Sequence, residues 1–214
     1  KVGIVSKEIS KKTGFKEGTP LCVGLGDQNA ASLGAGVVEP GNMSVSLGTG
    51  CIAAAFLDQP FKDPTKKGFV TNHAIYGKWQ LEGIQMGSAG VYRWFRDEIA
   101  LMEKSKAEKE GRDVYAVLDE MIASVPPGAK GLLLHPYFAS AATPRWNSSA
   151  RGTITGFTFA HDRACLARCF MEGITLEIRD LMNALFDSGL EISTIRILGG
   201  PTKSSLWNQM QADI

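Results

Sequence analysis

The sequence predicts an α/β fold, a mixed sheet flanked by helices, and three observations carry that expectation. Short apolar runs at residues 21–23, 43–47, 51–56 and 194–198 each begin or end at a glycine turn, as buried strands do. The second and third runs are separated only by Gly48-Thr49-Gly50, a spacing that folds them into a tight hairpin. Residues 162–186 are too many for a strand, and their apolar positions Leu166, Phe170, Ile174, Ile178, Leu181 and Leu185 recur at three or four residues, the mark of one long amphipathic helix. With 214 residues, 44% hydrophobic and 21% charged, the chain can bury a sizeable core without disulfides or metal.

Taken in order, residues 7–13 predict a polar helix, and Lys16-Glu17-Gly18-Thr19-Pro20 predicts a turn into the first strand, 21–23. That strand runs into Gly24-Leu25-Gly26-Asp27. A buried strand ending this way delivers a carboxylate to the carboxyl edge of a sheet, where α/β proteins place ligands, and the position suits a general base. On the turn alone, Asp27 suits the cap of a helix over 28–36 slightly better. The Gly48-Thr49-Gly50 hairpin offers backbone N–H groups and a hydroxyl that can approach a phosphate with no Cβ in the way.

Residues 76–81 predict a strand, followed by a small-residue stretch, 83–90, and a helix over 91–102. The charged segment 102–113 reads as a solvated helix end and loop. Residues 115–124 have helical spacing, with Val117, Leu118, Met121 and Ile122 as the core stripe, and Pro126-Pro127-Gly128 breaks the helix. A strand over 131–134 then enters a long loop, 135–152, carrying Trp146 and Arg151. Asp162 is placed to cap the long helix and Gly189 to end it, while Glu172 and Arg179 read as packing or surface-pair residues. Finally the strand 194–198 meets Gly199-Gly200-Pro201, Ser204-Ser205 and a helix over 206–214. Strand, paired glycines and helix N-terminus form a nucleotide-type site, because glycines permit close approach and free N–H groups attract anions. No GxxxxGK[ST] loop occurs in the chain.

The motifs together resemble a known family. Gly24-Leu25-Gly26-Asp27-Gln28, Ser46-Leu47-Gly48-Thr49-Gly50, Pro144 and Trp146 with Ala150-Arg151-Gly152, Gly156-Phe157-Thr158 through His161 to Glu172-Gly173, and Gly199-Gly200 with Ser204, Trp207, Gln209 and Ala212-Asp213-Ile214 follow one another as in the carboxyl-terminal lobe of an FGGY carbohydrate kinase. The xylulokinase-like and glycerol-kinase-like branch is the nearest. The resemblance covers nearly the whole chain and implies an actin-like, ribonuclease-H-like ATPase lobe that phosphorylates a sugar or polyol hydroxyl with ATP and Mg2+. It implies that Asp27 is the base and that Gln28 bonds a neighbouring sugar hydroxyl. Gly48, Thr49 and Gly50 then hold the terminal phosphates, Gly87 or Gly90 approaches the phosphates, and Gly199, Gly200 and Ser204 frame the adenosine. The resemblance places the metal contacts mostly in the other lobe, and no metal ligand is assigned here. The Gly-Glu-Arg triplet that the family often has is replaced near Ser140-Ala141-Ala142, a departure that bears on the salt bridge the triplet normally makes and on the assignment to one sugar.

The chain begins at Lys1 and stops inside a helical pattern at Ile214, so residues 1–214 are expected to be a nucleotide-binding lobe incomplete at both ends, lacking the amino-terminal sugar-binding lobe and inactive alone. A formal charge of +1, from 23 basic and 22 acidic residues, leaves no footprint for nucleic acid or an anionic membrane. No 18-residue apolar run or amino-terminal signal occurs, and the cytoplasm is the expected location. The expected partner is a small-molecule sugar, with a homodimer left open. Cys22, Cys51, Cys165 and Cys169 form no CxxC and are expected as buried, reduced thiols; His73, His135 and His161 are scattered, and no zinc site is expected. A non-catalytic actin-like ATPase module or a sensor would keep the glycines, but neither needs a sugar-facing Gly-Asp-Gln, so Asp27 favours an enzyme.

Overall fold

The computed structural model describes residues 2–214. Its first elements stand apart from the central sheet. Strand β1 (Gly3–Ile4) pairs antiparallel with β2 (Pro20–Leu21) around helix α1 (Lys7–Thr13), whose N-cap Ser6 accepts from the Ile9 N–H and whose C-cap Gly14 is left-handed. The expected buried strand at 21–23 is therefore corrected: β2 ends at Leu21 and Val23 is 76% exposed. The chain leaves the ladder after Leu21, so Asp27 does not reach a sheet edge through such a strand. Helix α2 spans Asp27–Gly34 with Gly26 as N-cap, so Asp27 is its first residue and not its cap.

The central sheet comprises β3 (Asn42–Leu47), β4 (Cys51–Leu57), β5 (Phe69–Asn72), β6 (Trp79–Gln85) and, later in the chain, β9 (Thr194–Gly199). Its order is β5-β6-β4-β3-β9; β9 runs parallel to β3 and every other pairing is antiparallel, which makes the sheet mixed, as expected. The two-residue period sorts its faces. Met43, Val45, Leu47, Ala53 and Ala55 enter the hydrophobic core. On the opposite face Ser44 meets Ser32 of α2 with hydroxyls 3.0 Å apart, and Gln80 donates to Glu82 at 2.8 Å.

Two strand boundaries differ from expectation. The strand expected at 76–81 is β6, displaced toward the carboxyl terminus, with Tyr76 fully exposed in the preceding turn. The strand continues through Gly83 because a Cβ there would lie 2.6 Å from Leu181 Cδ1; the glycine serves sheet-to-helix packing and is no loop signal. Strand β5 carries no run that marked it in the sequence.

The helix expected at 91–102 is two helices: α3 (Ala89–Trp94), a π-helical turn at Phe95–Ile99, and, after a break at Ala100, α4 (Leu101–Glu110). The charged segment 102–113 is thus helical as far as Glu110, since its Glu, Lys and Ala residues are good helix formers, and left-handed Gly111 ends it. Helix α5 (Val114–Ala123) is capped by Asp113. Strands β7 (Leu133–His135) and β8 (Thr153–Thr155) pair antiparallel and clamp both ends of the long loop.

Helix α6 (Arg163–Phe186) crosses the core face, and its N-cap Asp162 accepts the Cys165 N–H at 2.9 Å, as the sequence predicts. Helix α7 (Ser205–Asp213) follows β9 through a short 3-10 turn at Gly200–Lys203, with Ser204 as N-cap. No helix among the described residues is long and apolar enough to cross a membrane. All four cysteines are free, but Cys22 is exposed, which corrects the expectation of four buried thiols; burial pushes the Cys169 thiol up to about 12.

Glu172 is a packing residue, as expected. It is 8% exposed, bonds Arg168 Nε at 2.6 Å and accepts the Gly128 N–H at 3.0 Å, which ties α6 to the turn after α5. Glu172→Ala strands the buried Arg168 guanidinium and that N–H, and is expected to cost about 3–5 kcal/mol. Urea unfolding checks this: a loss below about 1 kcal/mol would mean that the pair contributes nothing.

Candidate active site

The carboxyl ends of β3, β6 and β9 point to the same edge of the sheet, because β6 and β9 both run in the direction of β3. At that edge three unrelated stretches of sequence come together: the Gly48-Thr49-Gly50 hairpin, the start of α3, and the glycine pair leading to α7. Together with the start of α5 they enclose a cleft of about 600 Å³. Gly48, Thr49, Gly90, Gly200 and Ser204 all line it. Gly50, Gly87 and Gly199 lie outside its lining, as do Asp27 and Gln28.

Backbone contacts explain the arrangement. Gly48 N–H closes the hairpin on the Gly50 carbonyl at 2.8 Å, and the Thr49 carbonyl accepts both Ser88 N–H at 3.1 Å and Gly90 N–H at 3.2 Å. The hairpin is thereby clamped to the first turn of α3. Any Cβ on Gly90 would sit 2.8 Å from the Thr49 carbonyl, so this glycine is required by the clamp as well as by the cleft. The paired glycines divide their roles. Gly199 has φ +115 and a Cβ there would fall 2.1 Å from the Leu47 carbonyl, whereas a Cβ on Gly200 meets nothing within 4 Å. Gly199 lets β9 close onto β3; Gly200 keeps the cleft open.

The rest of the wall is aromatic and charged. Tyr92 stacks on Tyr115 with centroids 5.9 Å apart and meets Trp207 edge-on at 5.2 Å. Trp207 is held by its indole N–H, which donates to Thr175 Oγ1 of α6 at 2.9 Å, and Ser204 Oγ accepts the Trp207 N–H at 3.0 Å. Arg93 and Lys203 bring positive charge to the cleft, Asp113 and Asp119 negative charge. Burial pushes the Asp119 carboxyl above the usual carboxylate range, partly offset by the Ser204 hydroxyl. The Tyr92 hydroxyl is buried without a hydrogen-bond partner, as is Ser88 Oγ.

Asp27 is exposed and its carboxylate accepts the neighbouring Gln28 N–H at 2.9 Å. Asn29 anchors this end of α2 by donating from Nδ2 to the Asn72 carbonyl at 2.6 Å. Sequence reasoning missed Tyr92, Arg93, Tyr115, Asp119 and Lys203. One signal for them existed: Tyr115 and Asp119 stand four apart on α5 and form a polar stripe beside the apolar Val117, Leu118, Met121 and Ile122. Among the described residues no group of three or more His, Cys, Asp and Glu side chains could hold a metal ion.

Residues 43–214 match the C-terminal domain of the FGGY family of carbohydrate kinases, so Asp27 and Gln28 precede the matched region. The chain is 33% identical over 211 residues to gluconokinase of Bacillus subtilis (strain 168), covering 98% of this chain and 41% of that protein. It is 29% identical over 213 residues to xylulose kinase of the same organism, again covering 41% of that protein. The crystal structure of xylulose kinase from Rhodospirillum rubrum superposes with a TM-score of 0.84 at 28% identity, over 99% of this chain and 41% of that one. The chain thus spans about two fifths of the length of each of these relatives.

Proposed function

Because this chain belongs to the FGGY family of carbohydrate kinases, we propose that it forms the ATP site, and supplies the catalytic base, of an enzyme that phosphorylates a sugar or polyol hydroxyl. The observation that carries this reading is the convergence of Gly48, Thr49, Gly90, Gly200 and Ser204 on one cleft from three separate stretches of sequence. The residues present fit a nucleoside triphosphate. Gly48 and Gly200 leave backbone open to the cleft, the hairpin supplies a hydroxyl and amides for phosphate, and the buried hydroxyl of Tyr92, which lines the cleft, stands without a partner.

Bound ATP with Mg2+ supplies the transferable phosphoryl group and the charge neutralisation that this transfer needs. The chain's own residues position and deprotonate. Thr49 and the hairpin backbone hold the terminal phosphates, and Gly200 with Ser204 borders the adenosine. Asp27 takes the proton of the attacked hydroxyl at its carboxylate, and Gln28 orients a neighbouring hydroxyl. Exclusion of water falls to closure of a second lobe over this surface. The relatives' names point to gluconate and xylulose as the first acceptors to try.

Sugar-dependent ADP release by the complete polypeptide tests the proposal. Ketoses, polyols, aldoses and gluconate form the panel, and at least one is expected to stimulate ADP release well above the sugar-free rate. ATP binding with no stimulation by any of them would favour a non-catalytic sensor and overturn the enzyme reading.

A further inference from the structure

Asp119 leaves α5 on the same face as Tyr115, one turn later, and both line the cleft. Its carboxyl is half-buried and raised by that burial; the Ser204 hydroxyl that bonds it partly offsets the effect, the Asp113 charge adds to it, and no cation acts on it. Beside it Tyr92 is 2% exposed with an unpartnered hydroxyl, and the Asp119 charge acts on that hydroxyl. An ionised carboxylate only accepts hydrogen bonds, and a phenol with no partner has one to donate. The wall therefore asks for a ligand that offers a donor and an acceptor close together. A phosphate offers acceptors alone and is repelled by Asp119, so the phosphates belong at the hairpin end of the cleft. The nucleoside half carries both kinds of group: each ribose hydroxyl donates and accepts, and adenine sets its exocyclic amine beside ring-nitrogen acceptors.

We infer that Asp119 determines nucleotide specificity, accepting a hydrogen bond from a ribose hydroxyl or from the adenine amine, with Tyr92 donating beside it. This rests on the reading of the cleft as an ATP site. The chemistry is shared by the two sources, and nucleotide analogues separate them.

The test is steady-state kinetics of the complete kinase with ATP, 2′-deoxy-ATP, 3′-deoxy-ATP and purine riboside triphosphate, which lacks the amine. The wild-type enzyme is expected to show a KM about 10–100-fold higher for either the deoxy analogues or the amine-free one, the range expected for a hydrogen bond to a charged group. Asp119→Ala is expected to raise the KM for ATP by a similar factor, to level that preference, and to leave the KM for sugar near wild type. Asp119→Asn keeps the volume and serves if the alanine variant does not fold; its amide donates as well as accepts, so the preference is blunted. A wild-type enzyme indifferent to all the analogues, or folded Asp119 variants with wild-type analogue ratios, overturns the inference while leaving the ATP site standing. Wild-type turnover that does not depend on ATP overturns the site reading and this inference with it.

Discussion

Asp27→Asn is expected to lower turnover of the complete kinase by roughly 10²–10⁴-fold, the usual contribution of a general base. Affinity for ATP is expected to stay near wild type, because Asp27 lies outside the cleft lined by Thr49, Gly200 and Ser204. The structure makes this substitution clean. Asp27 is exposed at the first position of α2, where its carboxylate accepts only a short-range bond from the Gln28 N–H. Asparagine keeps the size and the acceptor, giving up a favourable charge at a helix N-terminus that is worth about 0.3–1 kcal/mol. A large fall in kcat in a folded variant is therefore a loss of chemistry. Near-normal turnover would remove Asp27 from the mechanism and leave it a helix-start residue.

Gly199→Val and Gly200→Val are expected to fail in different ways although the residues are adjacent. At Gly199 the backbone has φ +115 and an added Cβ would sit 2.1 Å from the Leu47 carbonyl, so the β3–β9 pairing must open. Left-handed strain of about 1–3 kcal/mol combines with a backbone clash, and a loss of 3 kcal/mol or more is expected on the order of the largest single-residue effects. At Gly200 an added Cβ meets no protein atom, so stability is expected to hold within about 1 kcal/mol. A branched side chain there narrows the cleft that Gly200 lines, and ATP affinity is expected to weaken about tenfold or more, with sugar affinity kept. Thermal unfolding and calorimetry separate the two outcomes. A Gly199→Val protein as stable as wild type would refute the packing account, and unchanged ATP affinity in Gly200→Val would reduce the pair to an ordinary turn.

Much of the actin-like α/β lobe is legible in the sequence, because much of it rests on local chemistry. Helices α1, α5 and α6 announce themselves by period and cap: Asp162 accepts the Cys165 N–H where the periodic stretch begins. The β3–β4 hairpin follows from two apolar runs three residues apart, and Gly48, Thr49, Gly90, Gly200 and Ser204 are visible as candidates because a turn that must approach a ligand is written in glycines and hydroxyls. Elsewhere the local signal misleads. Gly83 reads as the start of a small-residue stretch beyond the strand and lies within it, because its missing side chain makes room for Leu181, more than ninety residues away. Residues 21–23 read as a buried strand, yet the ladder with β1 ends at Leu21 and Val23 is exposed. The wall of the cleft is invisible for the same reason. Apart from the four-residue spacing of Tyr115 and Asp119, nothing in the neighbourhood of Tyr92, Arg93, Asp119 or Lys203 distinguishes them from surface residues until α3, α5 and α7 meet at one edge of the sheet. The chain alone determined the hairpin, most of the helices though not α4, and which turns could face an anion. Only tertiary packing decided which polar groups are drawn from water into a shared cleft, because desolvation and charge coupling depend on neighbours distant in sequence.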